Sequence, residues 1–494
     1  METENETEEA TLKKRVLTRP LLLATLVPCL GSMQYGYNIW VINFPAVIML
    51  DFYNGTTTDE NVVDVHQHLL WVLMMIAIAL FPFGGFVGTF LLGPLMDKCG
   101  RKRTLLLSNV LSLISSVILG CSKLVDAHEF SMFSRFVAGI CSGMFSSAVP
   151  ICLAEISPKY LRGAINTVAI LFLTLGIQLG QIFALEEVLG NTKGFPILMS
   201  FSMILALFDI FLLPLFPESP RYLLIQKRNE EQAREVLKKL RGQVDVEDEI
   251  EELRLEDTAE RAEKNMNIFK LLCLRSLRWK LLSIFILMIG QQFADINAAY
   301  LYAEKIYLAM GVQEHMFPYV GAGLATIFLV VNMVTIYFID SLGRRTLLLA
   351  GLSICCACAV VLSVSIKLQE TLTWLSYINA GLVITFVAAH ITGPTTVPNL
   401  LTTEFFLQSS RVSGVIFAGS VYWICKFIIG LTYITIRKKV GPYGFLVFLP
   451  IPFVALVYSY KYIPETKNKT FLDIRRLMAV HVPKKILARK QTNS

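Results

Sequence analysis

Asp97-Lys98-Cys99-Gly100-Arg101-Lys102 returns, about half the chain later, as Asp340-Ser341-Leu342-Gly343-Arg344-Arg345. Each copy follows a long apolar run and precedes another. Two further pairs keep the same order and nearly the same offset. Glu155…Arg162-Gly163 is echoed by Glu404…Arg411 with the same Glu-to-Arg separation, and Pro217-Glu218-Ser219 by Pro464-Glu465-Thr466. One such pair is weak evidence, but three in register indicate a duplicated chain whose halves share one plan.

The 494 residues are 54% hydrophobic and only 17% charged, with a mean hydropathy of +0.57. Soluble chains carry about 25% charge, so a cytosolic globular enzyme is excluded. Disorder is excluded too, because the apolar content is too high. Runs long enough to cross a bilayer, about 20 residues each, fall over 19–45, 69–92, 104–121, 130–152, 163–187 and 196–216. After a charged stretch come 279–303, 317–339, 346–366, 374–400, 412–435 and 442–463. The domain plan is therefore a polar terminus 1–18, a six-span bundle 19–216, a helical connector 217–278, a second bundle 279–463 and a tail 464–494. The connector's apolar residues recur at helical spacing between acids and bases, which predicts amphipathic surface helices.

The net charge of +7 matters through its placement. Lys98, Arg101, Lys102, Arg103, Lys159, Arg162, Arg344 and Arg345 all sit in alternate loops, whereas 51–68 has no Lys or Arg. The positive-inside rule puts those basic loops, the connector and both termini in the cytosol. Such placement does not suit nucleic-acid binding. Trp40, Trp71, Trp279 and Trp374 lie near span ends, where an indole prefers the interface. Asn54-Gly55-Thr56 in the outer loop is a candidate glycosylation acceptor. The acidic start of the chain is not a secretory signal. The ten cysteines have no metal-ligand spacing, and Cys355, Cys356 and Cys358 read as small buried apolar residues. No metal, cofactor or nucleophile–base constellation is expected, hence no enzyme. Gly84 with Gly88, Gly139 with Gly143, and Gly176 with Gly180 read as close helix packing.

Two related bundles can rock about a midplane site. Glu155, Arg162, Glu404 and Arg411, with Arg101, Arg344 and Arg345, are expected to form an ionic latch across the seam; the alternative is a solvated topogenic cluster. Arg135 falls inside a span, where an uncompensated charge costs at least about 2.5 kcal/mol, and Glu155 is its expected partner.

The duplicated loops, Gln34-Tyr35-Gly36-Tyr37-Asn38, Pro217-Glu218-Ser219-Pro220-Arg221-Tyr222-Leu223-Leu224, Gln291-Gln292 and Pro464-Glu465-Thr466-Lys467 resemble the facilitative hexose transporters of the major facilitator superfamily. Phe81-Pro82-Phe83-Gly84-Gly85 and Glu404-Phe405-Phe406-Leu407-Gln408-Ser409-Ser410-Arg411 are most similar to its fructose-preferring branch. The resemblance implies an all-α membrane protein of twelve helices in two pseudo-symmetric bundles, cytosolic termini, a plasma-membrane location and uniport of a sugar by alternating access.

A neutral sugar needs amides, hydroxyls and an aromatic face. Gln291, Gln292, Asn297, His390, Asn399, Trp423 and Tyr35 are the candidates. By resemblance, the first three match family sugar contacts and His390 matches the fructose-preferring branch, while Asn399 stands where glucose carriers have a tryptophan. For each the competing role is an interhelical hydrogen bond. Four positions depart from the family: Ile170 replaces a span-5 glutamine, Phe328 a span-8 asparagine, Lys426 a span-11 asparagine and Asp295 a small residue. Asp295 and Lys426 are expected to pair beside the site. The alternative has Lys426 facing the cavity and attracting an anion such as urate. Fructose before glucose is the leading substrate reading; another polar or anionic solute, or a non-transporting sensor, are the alternatives. Proton coupling is disfavoured because residues 21–45 hold no Asp or Glu.

Overall fold

The structure is a computed structural model that describes residues 17–41, 63–122, 128–191, 193–243, 245–260, 268–273, 277–294, 303, 306–369, 371–440 and 444–480. It is helical throughout, with no strand among these residues. The first six apolar runs form α1 (Arg19–Trp40), α2 (Val63–Cys99), α3 (Arg101–Ser122), α4 (His128–Ile156), α5 (Arg162–Phe183) and α6 (Phe195–Ser200 continuing as Ser202–Leu212). The second six form α7 (Arg278–Phe293), α8 (Phe317–Leu342), α9 (Arg344–Leu368), α10 (Leu375–Glu404), α11 (Gln408–Val440) and α12 (Gly444–Phe448 continuing as Pro450–Tyr462). Nine described helices are long and apolar enough to cross a membrane. The other three expected spans are α1, α7 and the broken α12. Large apolar side chains point outward, among them Phe211 at 79% and Tyr337 at 76% exposure. In water such a surface would be untenable; against lipid it costs nothing.

The bundles meet along two seams, α2 on α11 and α5 on α8. Duplication exchanges α2 with α8 and α5 with α11, so each seam is the image of the other. Within the first bundle α2 and α4 touch backbone to backbone. A Cβ at Gly88 would lie 2.0 Å from the Ile140 carbonyl oxygen, and one at Gly143 2.1 Å from that of Gly85. That is the close packing expected of small residues. Gly176 is used the same way against Met33, but Gly180 has no neighbour closer than 3.6 Å and is not required there.

The repeated loops make one corner twice. Gly100 and Gly343 have φ of 87° and 93°, a backbone that favours glycine. Immediately beyond, Glu218 Oε1 accepts from the Arg101 amide at 3.0 Å, and Glu465 accepts from the Arg344 and Arg345 amides at 2.9 and 3.0 Å. The repeated Pro-Glu-Ser/Thr acid therefore satisfies the free N–H groups that begin α3 and α9. The end of the molecule that carries these corners is called the basic end below. The connector forms the helices Glu230–Arg241, which is amphipathic as expected, and Glu247–Glu260, which is not strongly so and leaves Leu255 exposed; a last helix, Phe471–Val480, packs among them.

Candidate functional site

A cavity of about 280 Å³ lies between the bundles, lined from α1, α4, α5, α7, α8, α10 and α11. Tyr35, Gln291, Gln292, His390 and Asn399 line it as expected, and so do Ile170, Phe328 and Lys426. The altered positions thus face the same space as the amides. Pro394 has no N–H to donate, and the chain opens there into a wide π turn, Ile391–Thr395. This turn gathers the polar groups of α10 around Thr395. Its carbonyl accepts from Asn399 Nδ2 at 2.8 Å and from Gln291 Nε2 at 3.5 Å, while its hydroxyl pairs with His390 Nδ1 at 2.9 Å. His390 Nε2 meets the Gln291 carbonyl at 3.1 Å. Both ring nitrogens are therefore engaged, and the imidazole braces α7 against α10. Gln291 Oε1 is buried in the cavity wall and receives no protein donor, an acceptor left unsatisfied within the protein. Thr395 was invisible to sequence reasoning, since a threonine after Gly-Pro carries no distinctive signal.

The cavity is closed at the basic end by buried charge. Arg101 grips Glu155 with two bonds, Nε and Nη2 each at 2.8 Å. From the other bundle, Gln408 Nε2 donates to Glu155 Oε1 at 2.8 Å, and Arg411 Nη1 approaches the same oxygen at 3.9 Å. Arg411 Nη1 also donates to Gln408 Oε1 at 2.6 Å. In the second half, Arg344 meets Glu404 at 3.3 Å and Asp340 at 2.8 Å. Asp340 reaches across the seam to the Ala164 amide at 2.8 Å. Beneath lies Phe471. The guanidinium carbons of Arg162, Arg411 and Arg221 stand 3.8, 4.1 and 4.7 Å from its ring centre. Arg411 Nη2 also approaches Glu256 of the connector at 3.6 Å.

Residues 24–478 match the family model described as "Sugar (and other) transporter". The human solute carrier family 2, facilitated glucose transporter member 5 is 44% identical over 476 residues, covering 96% of this chain and 94% of the relative. Human member 7 of that family is 43% identical over 460 residues, 93% and 90% of the two chains. This chain belongs to the sugar transporter family. Its fold is that of the major facilitator proton:xylose symporter XylE bound to 6-bromo-6-deoxy-D-glucose, with a TM-score of 0.79 at 20% identity over 94% of this chain and all of the other.

For a sugar transporter of this fold, three expected roles need correction. Trp423 does not line the cavity. It is fully buried against α1 and α2, 5.6 Å from the Tyr35 ring and 5.9 Å from Phe81, in the space left by Gly85. Neighbouring helical residues point about 100° apart, and Tyr422 takes the cavity side, its hydroxyl 2.7 Å from that of Tyr35. Arg135 does not meet Glu155: both lie on α4, separated by about 30 Å of helix rise. Its guanidinium instead donates to the Asn38 carbonyl at 2.9 Å and covers the Phe81 ring at 4.6 Å. Nor does every latch arginine cross the seam. Arg101 and Arg344 bind acids of their own half, and Arg345 donates to the Tyr460 carbonyl at 2.7 Å; the crossing is made by Gln408, Arg411 and Asp340.

Lys426 follows Tyr422 by one turn, and its ammonium sits 4.9 Å from that ring. Asp295 and Asn297 lie outside the described residues, and with them the expected Asp295–Lys426 pair; Asn54 does also. Sequence reasoning missed Gln408, Phe471 and the capping roles of Glu218 and Glu465. It also missed two cavity-lining amides, Asn166 and Asn332.

Proposed function

We propose that the protein is a facilitative hexose uniporter working by alternating access, with fructose favoured over glucose. The observation that carries this reading is the amide-lined cavity on the seam between duplicated bundles, closed at one end by buried acid–base contacts. Gln291, Gln292 and Asn399 offer donors and acceptors without charge, which suits a neutral polyol. Transport opens the basic end by rocking the half 19–216 against the half 279–463. Gln408, Arg411 and Asp340 then release their partners, while the Arg101–Glu155 and Arg344–Glu404 pairs stay within their own halves. The connector 217–278 and the tail from 464 ride on that end. In this reading the basic end is cytosolic, both termini are cytosolic and the membrane is the plasma membrane. Glycosidase treatment of cell-expressed protein tests the topology: a mobility shift abolished by Asn54→Gln supports it, and an unglycosylated surface protein contradicts it.

Purified full-length protein in proteoliposomes, assayed by counterflow of fructose, glucose and urate, tests the function. Saturable fructose exchange without a proton gradient is the expected result. Exchange of urate alone would favour the second reading, an anionic solute, which the ammonium of Lys426 in the cavity supports. Absence of flux for all three solutes would overturn both readings and favour a sensor.

A further inference from the structure

Two amides that the family resemblance leads one to expect are apolar here, Ile170 on α5 and Phe328 on α8. One helical turn from each stands an asparagine that also lines the cavity, Asn166 and Asn332. The offsets have opposite signs in sequence. Yet α5 begins at the basic end and α8 finishes there, so both asparagines lie deeper toward that end, by about 6 Å of helix rise. The displacement is thus the same in direction and size on two helices from different bundles, and the depth between the two amides is preserved.

Their local geometry is also the same. Asn166 Nδ2 donates to the Arg162 carbonyl at 3.1 Å, and Asn332 Nδ2 to the Phe328 carbonyl at 3.1 Å, each four residues back. Asn332 Nδ2 also reaches Thr174 Oγ1 at 2.9 Å across the seam. In each case the N–H side is used and Oδ1 receives no protein donor, although the residues are only 7% and 0% exposed. A buried acceptor without a donor is costly, and here both belong to the lining of one cavity. With Gln291 Oε1, three buried acceptors without a protein donor stand in the wall of the cavity, on α5, α7 and α8, and a polyhydroxyl solute brings hydroxyl donors to match. The lining continues past them to Thr402 and Thr403, so there is depth for a ligand to follow.

We propose that Asn166 and Asn332 are substrate-binding residues that replace the amides lost at Ile170 and Phe328, so that a hexose is held about one helical turn nearer the basic end on the α5 and α8 sides. This rests on the hexose reading above. Full-length protein is titrated with fructose by tryptophan fluorescence, Trp40 lining the cavity, and assayed in parallel by counterflow. Asn166→Ala and Asn332→Ala should each weaken the half-saturating fructose concentration about tenfold, one neutral hydrogen bond's worth, with the maximal rate kept. Returning the amide to its expected place, as Asn166→Ala/Ile170→Gln and Asn332→Ala/Phe328→Asn, should restore affinity. A purely interhelical role would lower melting temperature and is not rescued by an amide one turn away. Wild-type binding with unchanged affinity in both alanine variants, or failure of both rescues in folded protein, overturns the assignment alone. No fructose binding and no flux by the wild type overturns the hexose reading as well.

Discussion

The two halves carry the same motif at the basic end and use it with different strength. In the first half Glu155 receives a two-bond grip from Arg101, and its Oε1 also takes Gln408 and Arg411 from the other half. In the second half Glu404 has a single 3.3 Å contact with Arg344, its Oε2 receives no protein donor, and Arg344 shares itself with Asp340. The residue that duplication pairs with Arg411 is Arg162. It stacks on Phe471, and no carboxylate of the described residues lies within ion-pair distance of it. Duplication therefore supplied equal parts, and divergence put most of the cross-seam bonding on one carboxylate. A buried pair is kept together mainly because losing one partner strands the other, so the two acids should differ sharply in what their removal does.

Glu155→Gln should have the largest effect. It removes the hydrogen-bonded counter-charge of buried Arg101 and leaves it only the looser influence of Asp97 and Glu218, a loss of about 3 kcal/mol or more. Thermal unfolding in detergent should show a large drop in midpoint, and surface delivery should fall; a change no greater than that of the Glu404 variant would erase the asymmetry. Glu404→Gln should cost less, about 1–3 kcal/mol, because Arg344 retains Asp340. Phe471→Leu comes next. It keeps apolar bulk and removes the ring faces, about 0.5–2 kcal/mol for each cation over a desolvated ring. It should also raise the rate at which the basic end opens, read as faster modification of a cysteine placed in the cavity at Thr403. If modification is unchanged, Phe471 is filler and not part of the closure. Arg254→Ala should be the smallest. Arg254 and Arg234 hold the Glu230 carboxyl below its ordinary range by hydrogen bonding, Arg254 first, yet these side chains are solvated. No change in unfolding midpoint is expected, and a clear drop would mean that the connector does more than ride on the bundles.

The sequence was most informative where physics repeats. Twelve apolar runs, the Gly-Arg corners and the acid–base spacing define the bundles, because a span must be apolar for its whole length and a corner needs glycine at positive φ. It was least informative about azimuth. Trp423 and Tyr422 are adjacent and both aromatic, and only Gly85 on another helix decides which one turns inward. The pairing expected for Arg135 and Glu155 ignored the helix rise between them. Asn166 and Asn332 carry no signal in sequence, because a polar residue in a span reads equally well as a back-bonded helix side chain; only the structure shows that both belong to the cavity wall and that their oxygens lack a protein donor. His390 lines the cavity as the sequence predicts, yet Thr395 and the Gln291 carbonyl engage both of its ring nitrogens, a use no spacing rule reveals.

Phe471 lies past the final span, yet it supplies the ring beneath guanidiniums from α5, the connector and α11. Its place in the chain means that the ring is made only after every helix whose arginines it meets. Before that, the closure at the basic end lacks the aromatic surface over which Arg162, Arg221 and Arg411 stand. Completion of the inner closure therefore waits on a residue translated after the final span.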